Sequence, residues 1–66
     1  MKIRCVKVGG QDPFYESFTK GKVYECTDTE IGFYVTDDSG LELMGNTDVL
    51  GIPFVHYFHS EFRIVP

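Results

Sequence analysis

A chain of 66 residues with six Lys and Arg against ten Asp and Glu carries a formal charge of −4 and has room for one domain, residues 1–66. A domain this small buries only roughly 60% of the surface its unfolded form exposes, so every large apolar side chain counts toward the core. With 42% hydrophobic and 24% charged residues it is too apolar for disorder, and its acidic balance argues against a general nucleic-acid binder, which needs clustered Lys and Arg.

Lys2-Ile3-Arg4-Cys5 alternates polar and apolar, the period of a half-buried strand, with Ile3 and Cys5 on one face. Cys5-Val6 interrupts the alternation and marks a bulge or a change of face, and Gly9-Gly10 ends the strand. Gln11 to Ser17 is an excursion that carries the turn signal Asp12-Pro13. Phe18 is a core candidate, Thr19-Lys20-Gly21 a turn, and Lys22 to Thr27 a strand with Tyr24 and Cys26 on one face. Asp28 to Gly32 reads as a loop and Phe33 to Thr36 as a strand of aromatic and β-branched residues. Asp37-Asp38-Ser39-Gly40 is a hairpin turn, and Leu41 to Met44 is the returning strand. Gly45-Asn46-Thr47-Asp48 reads as another turn. Val49 to Phe58 reads as a loop or edge segment followed by a short strand, since Pro53 is barred from a central strand. His59 to Phe62 reads as a short 3₁₀ turn before a terminal strand, Arg63 to Val65. About five short antiparallel strands with frequent turn signals define a small all-β barrel or sandwich.

Residue types that carry chemistry are present but poorly spaced for it. His56 and His59 are three apart, which places them on opposite faces of a strand, and no CxxC or HxxxH accompanies them. Cys5 and Cys26 sit among strand residues, where a thiol acts as a small hydrophobe. Neighbouring strands would bring the two close, which leaves a disulfide open. The carboxylates at Asp37-Asp38 and at Asp28 and Glu30 read as solvated turn acids, without the burial that tunes a catalytic pKa, and Asp37, Asp38 and Ser39 are too few for a calcium loop. No phosphate loop or nucleophile elbow is present. The expectation is no enzyme, no cofactor and no metal. Phe54, Tyr57, Phe58 and Phe62 read either as core or, in part, as an exposed patch for a partner protein. The chain has no apolar run near the roughly 20 residues of a membrane helix and no targeting motif. That points to a cytoplasmic protein with no membrane partner.

Three stretches carry a resemblance. Glu16-Ser17-Phe18-Thr19-Lys20-Gly21-Lys22-Val23-Tyr24-Glu25 resembles the SH3-domain segment that leaves the long RT loop for the second strand. Ile31-Gly32-Phe33-Tyr34-Val35 resembles the G-W-W stretch of the third strand, and Phe58-His59-Ser60-Glu61-Phe62 the F-P-S-N-Y turn before the last. Their order agrees over nearly the whole chain, with extra length between Met44 and Tyr57. The chain is also similar to small SH3-like proteins of bacteriophages, sharing the Thr19-Lys20-Gly21-Lys22 run and the Asp37-Asp38-x-Gly40 hairpin. The resemblance implies an SH3-like barrel with an RT-type loop over Gln11 to Glu16. It implies a degenerate binding groove in which Phe33 stands for the groove tryptophan, His59 for its proline and Phe62 for its tyrosine. Two groove tyrosines of the A-L-Y-D-Y strand are missing from Cys5-Val6-Lys7-Val8-Gly9, so recognition of proline-rich helices is not expected. Arg63 stands where a core valine is usual, which assigns that role to Ile64 or Val65.

These readings lead to a non-enzymatic interaction module, phage or prophage encoded and acting in the host cytoplasm. It would bind an unidentified host or phage protein through Tyr15, Glu16, Phe33, His59 and Phe62, with homodimerisation through an edge strand as a further possibility. The alternatives are a nucleic-acid module using Arg4, Lys20, Lys22 and exposed aromatics, which the scattered basic residues disfavour, and an acidic inhibitor that mimics nucleic acid.

Overall fold

Alternation along the first strand becomes burial in the computed structural model, which describes residues 1–9 and 17–66. β1 (Lys2–Lys7) turns Ile3 and Cys5 into the core and leaves Lys2 and Arg4 outside. The bulge falls where the alternation stops, since the register against the last strand shifts between Cys5 and Lys7. β2 (Val23–Thr29) buries Tyr24 and Cys26, and β3 (Gly32–Thr36) buries Phe33 and Val35. The loop expected between them shrinks to Glu30 and Ile31, because Thr29 already pairs with Gly32. β4 (Glu42–Thr47), β5 (Pro53–Val55) and β6 (Glu61–Val65) complete a single antiparallel sheet in the order β5-β4-β3-β2-β1-β6. Its two end strands return to each other, and the sheet curls into a nearly closed barrel. This all-β architecture is compatible with an SH3-like fold, and its six short antiparallel strands agree with the about five expected.

The length of β4 and the placing of β5 follow from Gly45. Read as a turn residue, it instead lies inside β4, between Phe33 of β3 and Val55 of β5. A Cβ at this position would overlap the Phe33 ring and lie 2.5 Å from the Phe54 carbonyl oxygen. Glycine is needed for close approach, and the chain reverses further on, at Asp48 to Ile52.

Both hairpin turns of this half of the barrel use the same device. Asp37 N donates to Leu41 O (2.9 Å) and Gly40 N to Asp37 O (3.1 Å). Asp48 N donates likewise to Ile52 O (2.9 Å) and Gly51 N to Asp48 O (2.9 Å). In each turn the Asp Oδ1 accepts from the backbone N–H two and four residues on: Ser39 and Leu41 in the first, Leu50 and Ile52 in the second. Asp37 is therefore a buried turn scaffold, and the expectation of a solvated acid is corrected at that position.

The core joins Ile3, Cys5, Phe18, Tyr24, Cys26, Phe33, Val35, Val55 and Phe62. Phe18 is its hub, meeting Tyr24, Phe58 and Phe62 edge to face at centroid distances of 5.1, 5.6 and 4.9 Å. Such pairs contribute about 0.5–1.5 kcal/mol each beyond area burial. From β6 it is Phe62 that fills the core, while Ile64 is largely exposed and Val65 half-buried. Among the described residues no 3₁₀ turn precedes β6. Glu61 and Phe62 are strand residues, and the reversal occurs earlier, where Phe58 N donates to Val55 O at 3.2 Å.

A polar clasp ties the Thr19–Lys22 turn to the β3–β4 hairpin. The Asp38 carboxylate accepts from Lys22 Nζ (2.6 Å), Thr19 Oγ1 (2.6 Å) and Tyr24 Oη (3.0 Å), and Asp38 N donates to Ser17 O (2.8 Å). The Lys22 ammonium, then the Thr19 hydroxyl, hold the Asp38 carboxyl below its ordinary range.

Replacing Gly45 by Ala forces either the Phe33 ring or β5 outward. Overpacking of this kind costs about 1–3 kcal/mol. Urea denaturation should show the midpoint falling accordingly, and an unchanged midpoint would mean that the approach is not tight.

Candidate functional site

Side chains on a strand alternate between core and solvent, and that parity decides the fate of the expected groove. Phe33 and Phe62 are 2% and 0% exposed. Phe33 faces inward over Gly45, and Phe62 lies opposite Cys5 across the β1–β6 ladder. Both belong to the core and are closed to a partner, which corrects their assignment as groove residues. His59 is exposed, with its backbone packed against Gly9, where a Cβ would meet the His59 carbonyl carbon at 2.6 Å. Gly9 N donates to Ser60 Oγ (3.1 Å). Tyr15 and Glu16 lie outside the described residues.

The aromatic cluster divides. Phe62 is core and Phe58 packs half-buried against it, while Phe54 and Tyr57 are 41% and 87% exposed. Because Val55 points inward, Phe54 and His56 share the outer face of the β4–β5 hairpin. Phe54 lies across from Asn46, His56 across from Met44, and Tyr34 on the far side of Met44. The His56 ring stacks on Phe54 (5.6 Å, 19°) and meets Tyr57 edge-on (6.4 Å, 87°). Asn46 Nδ2 lies 3.1 Å from His56 Nε2 and donates to it in the tautomer that carries its ring proton on Nδ1. Beside Asn46, a shallow open groove of about 450 Å³ runs past Met1, Asp28, Glu30 and the exposed Ile31 at the end of the barrel.

Tyr57 has the most unusual backbone of the row. It is the third residue of the turn from Val55 to Phe58 and has φ of 67°, and no other non-glycine residue among those described has positive φ. That turn position normally takes Gly or Asn. A tyrosine there costs on the order of 1–3 kcal/mol, and its largely exposed ring recovers little of this by burial. Tyrosine is not a turn residue, so nothing in the sequence signals this conformation. The hairpin that presents it was signalled, by the second Asp-x-x-Gly at Asp48 to Gly51.

The remaining reactive groups are placed as structure. Cys5 and Cys26 are both buried. Burial raises the Cys26 pKa from the ordinary 9.0 to about 11. Asp37 Oδ1 is taken by the turn, and its Oδ2 has no hydrogen-bond partner among the described residues. Among the described residues no three His, Cys, Asp or Glu side chains gather as a metal site, and no helix is long and apolar enough to cross a membrane. Comparison with protein-family models, with curated proteins and with solved structures gave no match.

Relief of the strained φ makes Tyr57→Gly stabilising, by about 1 kcal/mol, readable as a rise in urea midpoint. A fall would show that the Tyr57 ring contributes to folding. Cys26 makes a separate prediction. At pH 8 iodoacetamide should label it only after denaturant is added. Because its folded pKa lies above the unfolded value, its contribution to stability is complete below about pH 9 and is lost as pH rises toward about 11. Cys26→Ala should flatten that alkaline limb in denaturant titrations.

Proposed function

We propose that this chain is a non-enzymatic protein-interaction module that docks a partner protein on the outer face of β3, β4 and β5, through Tyr34, Phe54, His56 and Tyr57. The observation that carries the reading is Tyr57, an aromatic side chain held at positive φ in solvent. Strain that folding does not need is a pointer to function, and exposed aromatics beside a histidine are typical interface anchors. His59, two residues beyond Tyr57, is also exposed. The similarity of the Thr19-Lys20-Gly21-Lys22 run and the Asp37-Asp38-x-Gly40 hairpin to small bacteriophage proteins supports an accessory role in a phage-infected or prophage-bearing cell.

The contact is made by side chains in preference to strand addition. Asp48 N bonds to Ile52 O and His56 N to Met44 O, so alternate residues of β5 face β4. Pro53 and Val55 therefore present their backbone to the outer edge. Pro53 has no N–H, and the Val55 carbonyl already accepts from Phe58 N. Such an edge is a poor template for pairing with a second copy.

The test is affinity capture from host lysate, with the wild-type chain beside a Phe54→Ala/Tyr57→Ala variant whose fold is verified by circular dichroism and urea titration. At least one protein should be retained by the wild type and depleted about tenfold or more on the variant, the scale expected when interface anchors are truncated. Equal capture by both would overturn the assignment.

A further inference from the structure

The basic residues are scattered in sequence but gathered by the fold. Four of the six, Lys2, Arg4, Lys7 and Arg63, lie exposed on the outer face of β1 and β6, in the half of the sheet away from the aromatic row. Register sorts them into cross-strand rows. Lys7 lies opposite Glu61, Arg4 lies between Arg63 and Val23, and Lys2 lies between Val65 and Glu25. The outer rows are self-neutralised, with Lys7 Nζ 3.7 Å from Glu61 and Lys2 Nζ 3.9 Å from Glu25. The central row is not. Among the described residues neither arginine has a carboxylate within ion-pair distance.

Arg4 and Arg63 are also direct neighbours. Cys5 N bonds to Lys22 O and Cys26 N to Met1 O, so the odd-numbered residues of β1 face β2 and Arg4 turns its peptide groups to β6. The two arginines thus form a hydrogen-bonded pair with Cα atoms about 5.5 Å apart. Like charges directly opposite each other are destabilising, and the cost is not relieved here although acidic residues outnumber basic ones in the chain. Arg63 Nη1 donates to the Phe62 carbonyl (2.8 Å), which lies on the edge of β6 turned away from β1, so the Arg63 guanidinium is held toward that edge without being neutralised.

We infer that this pair is the centre of a second docking surface, for an acidic segment of a partner protein whose carboxylates the two guanidiniums bind. Arginine forks match carboxylates with paired hydrogen bonds. A partner carboxylate would also cancel the repulsion between them. Glu25 and Glu61 flank the pair on either side, so the excess positive charge is confined to one row. That suits a short acidic stretch, whereas a nucleic-acid backbone needs a run of unneutralised cations.

The surface does not depend on the aromatic face, and the experiment separates the two. Fluorescence anisotropy of a labelled Glu-rich dodecapeptide, at low and at moderate salt, is compared with that of a single-stranded oligonucleotide of equal charge. The wild-type chain should bind the peptide, more weakly as salt rises. Arg4→Gln/Arg63→Gln should lose about tenfold or more, as expected for removing charge-assisted bonds, while Lys20→Gln and Phe54→Ala/Tyr57→Ala bind as the wild type does. The double arginine variant should be at least as stable to urea as the parent, since a repulsion has been removed. No peptide binding by the wild type, unchanged binding by the arginine variant, or a clear loss of its stability would each overturn the inference. Tighter binding of the oligonucleotide would overturn it in favour of nucleic acid.

Discussion

The contact of Phe33 with Gly45 is the constraint on which the rest of the barrel depends. A phenylalanine ring can come this near the neighbouring backbone only where that strand has no side chain, and the overlap a Cβ would make shows how close the approach is. Three consequences follow. The Phe33 ring is committed to the core, so an SH3-type groove centred on it does not form. β4 runs straight through Gly45 to Thr47 instead of turning there. The chain then has room to return as β5, which pairs with β4, meets β6 where the barrel nearly closes, and places Phe54 and His56 on the outer face. The candidate surface is thus a consequence of how the core is packed.

A chain this small has little stability to spare, with totals near 5–15 kcal/mol typical of whole domains and the low end expected here. Against that margin the Phe18 hub and the Asp38 clasp divide the labour. Phe18 joins β2 to β6 through Tyr24, Phe58 and Phe62. Tyr24 then links the apolar hub to the polar clasp, since its hydroxyl donates to Asp38 and accepts from Thr19 N (2.7 Å). Burial, the largest influence on this phenol, raises its pKa and keeps the donor proton in place. The ends of the sequence stretch from Ser17 to Tyr24 are therefore fastened to both the barrel interior and the β3–β4 turn. The strained turn at Tyr57 is anchored on one side by the same hub, since Phe58 packs on Phe18.

Much of the fold was legible because strand parity is local. Ile3 with Cys5, Tyr24 with Cys26, and the irregularity at Val6 needed nothing beyond alternation. The errors cluster where a glycine or an aspartate serves a tertiary purpose. Gly45 looks like a turn because close approach to an aromatic ring leaves no mark in the sequence. Asp48 was placed at the end of a turn that it in fact begins, and comparison with Asp37 would have resolved this, since both start an Asp-x-x-Gly with a left-handed glycine (φ 89° and 79°). The site was less legible. Phe33 and Phe62 were assigned by likeness to a groove, whereas burial depends on which face of the strand each occupies. Tyr57 is exposed through a φ value that its residue type does not favour.

Charge shows the same limit and what the fold adds to it. The net value of −4 describes the chain as a whole, and it argues soundly against a uniform polyanion-binding surface. It says nothing about distribution. In the barrel, Lys22 pairs with Asp38, Lys2 with Glu25 and Lys7 with Glu61, while Arg4 and Arg63 pair across the β1–β6 ladder with no carboxylate within ion-pair distance among the described residues. Aromatic side chains gather on β3 to β5, and unneutralised guanidiniums on β1 and β6. A six-stranded barrel has only one inward face to satisfy with apolar residues, so its outer face is free to vary from strand to strand. Two chemically distinct surfaces on opposite halves of one sheet can therefore coexist in so short a chain, because neither draws on the residues that hold the barrel together.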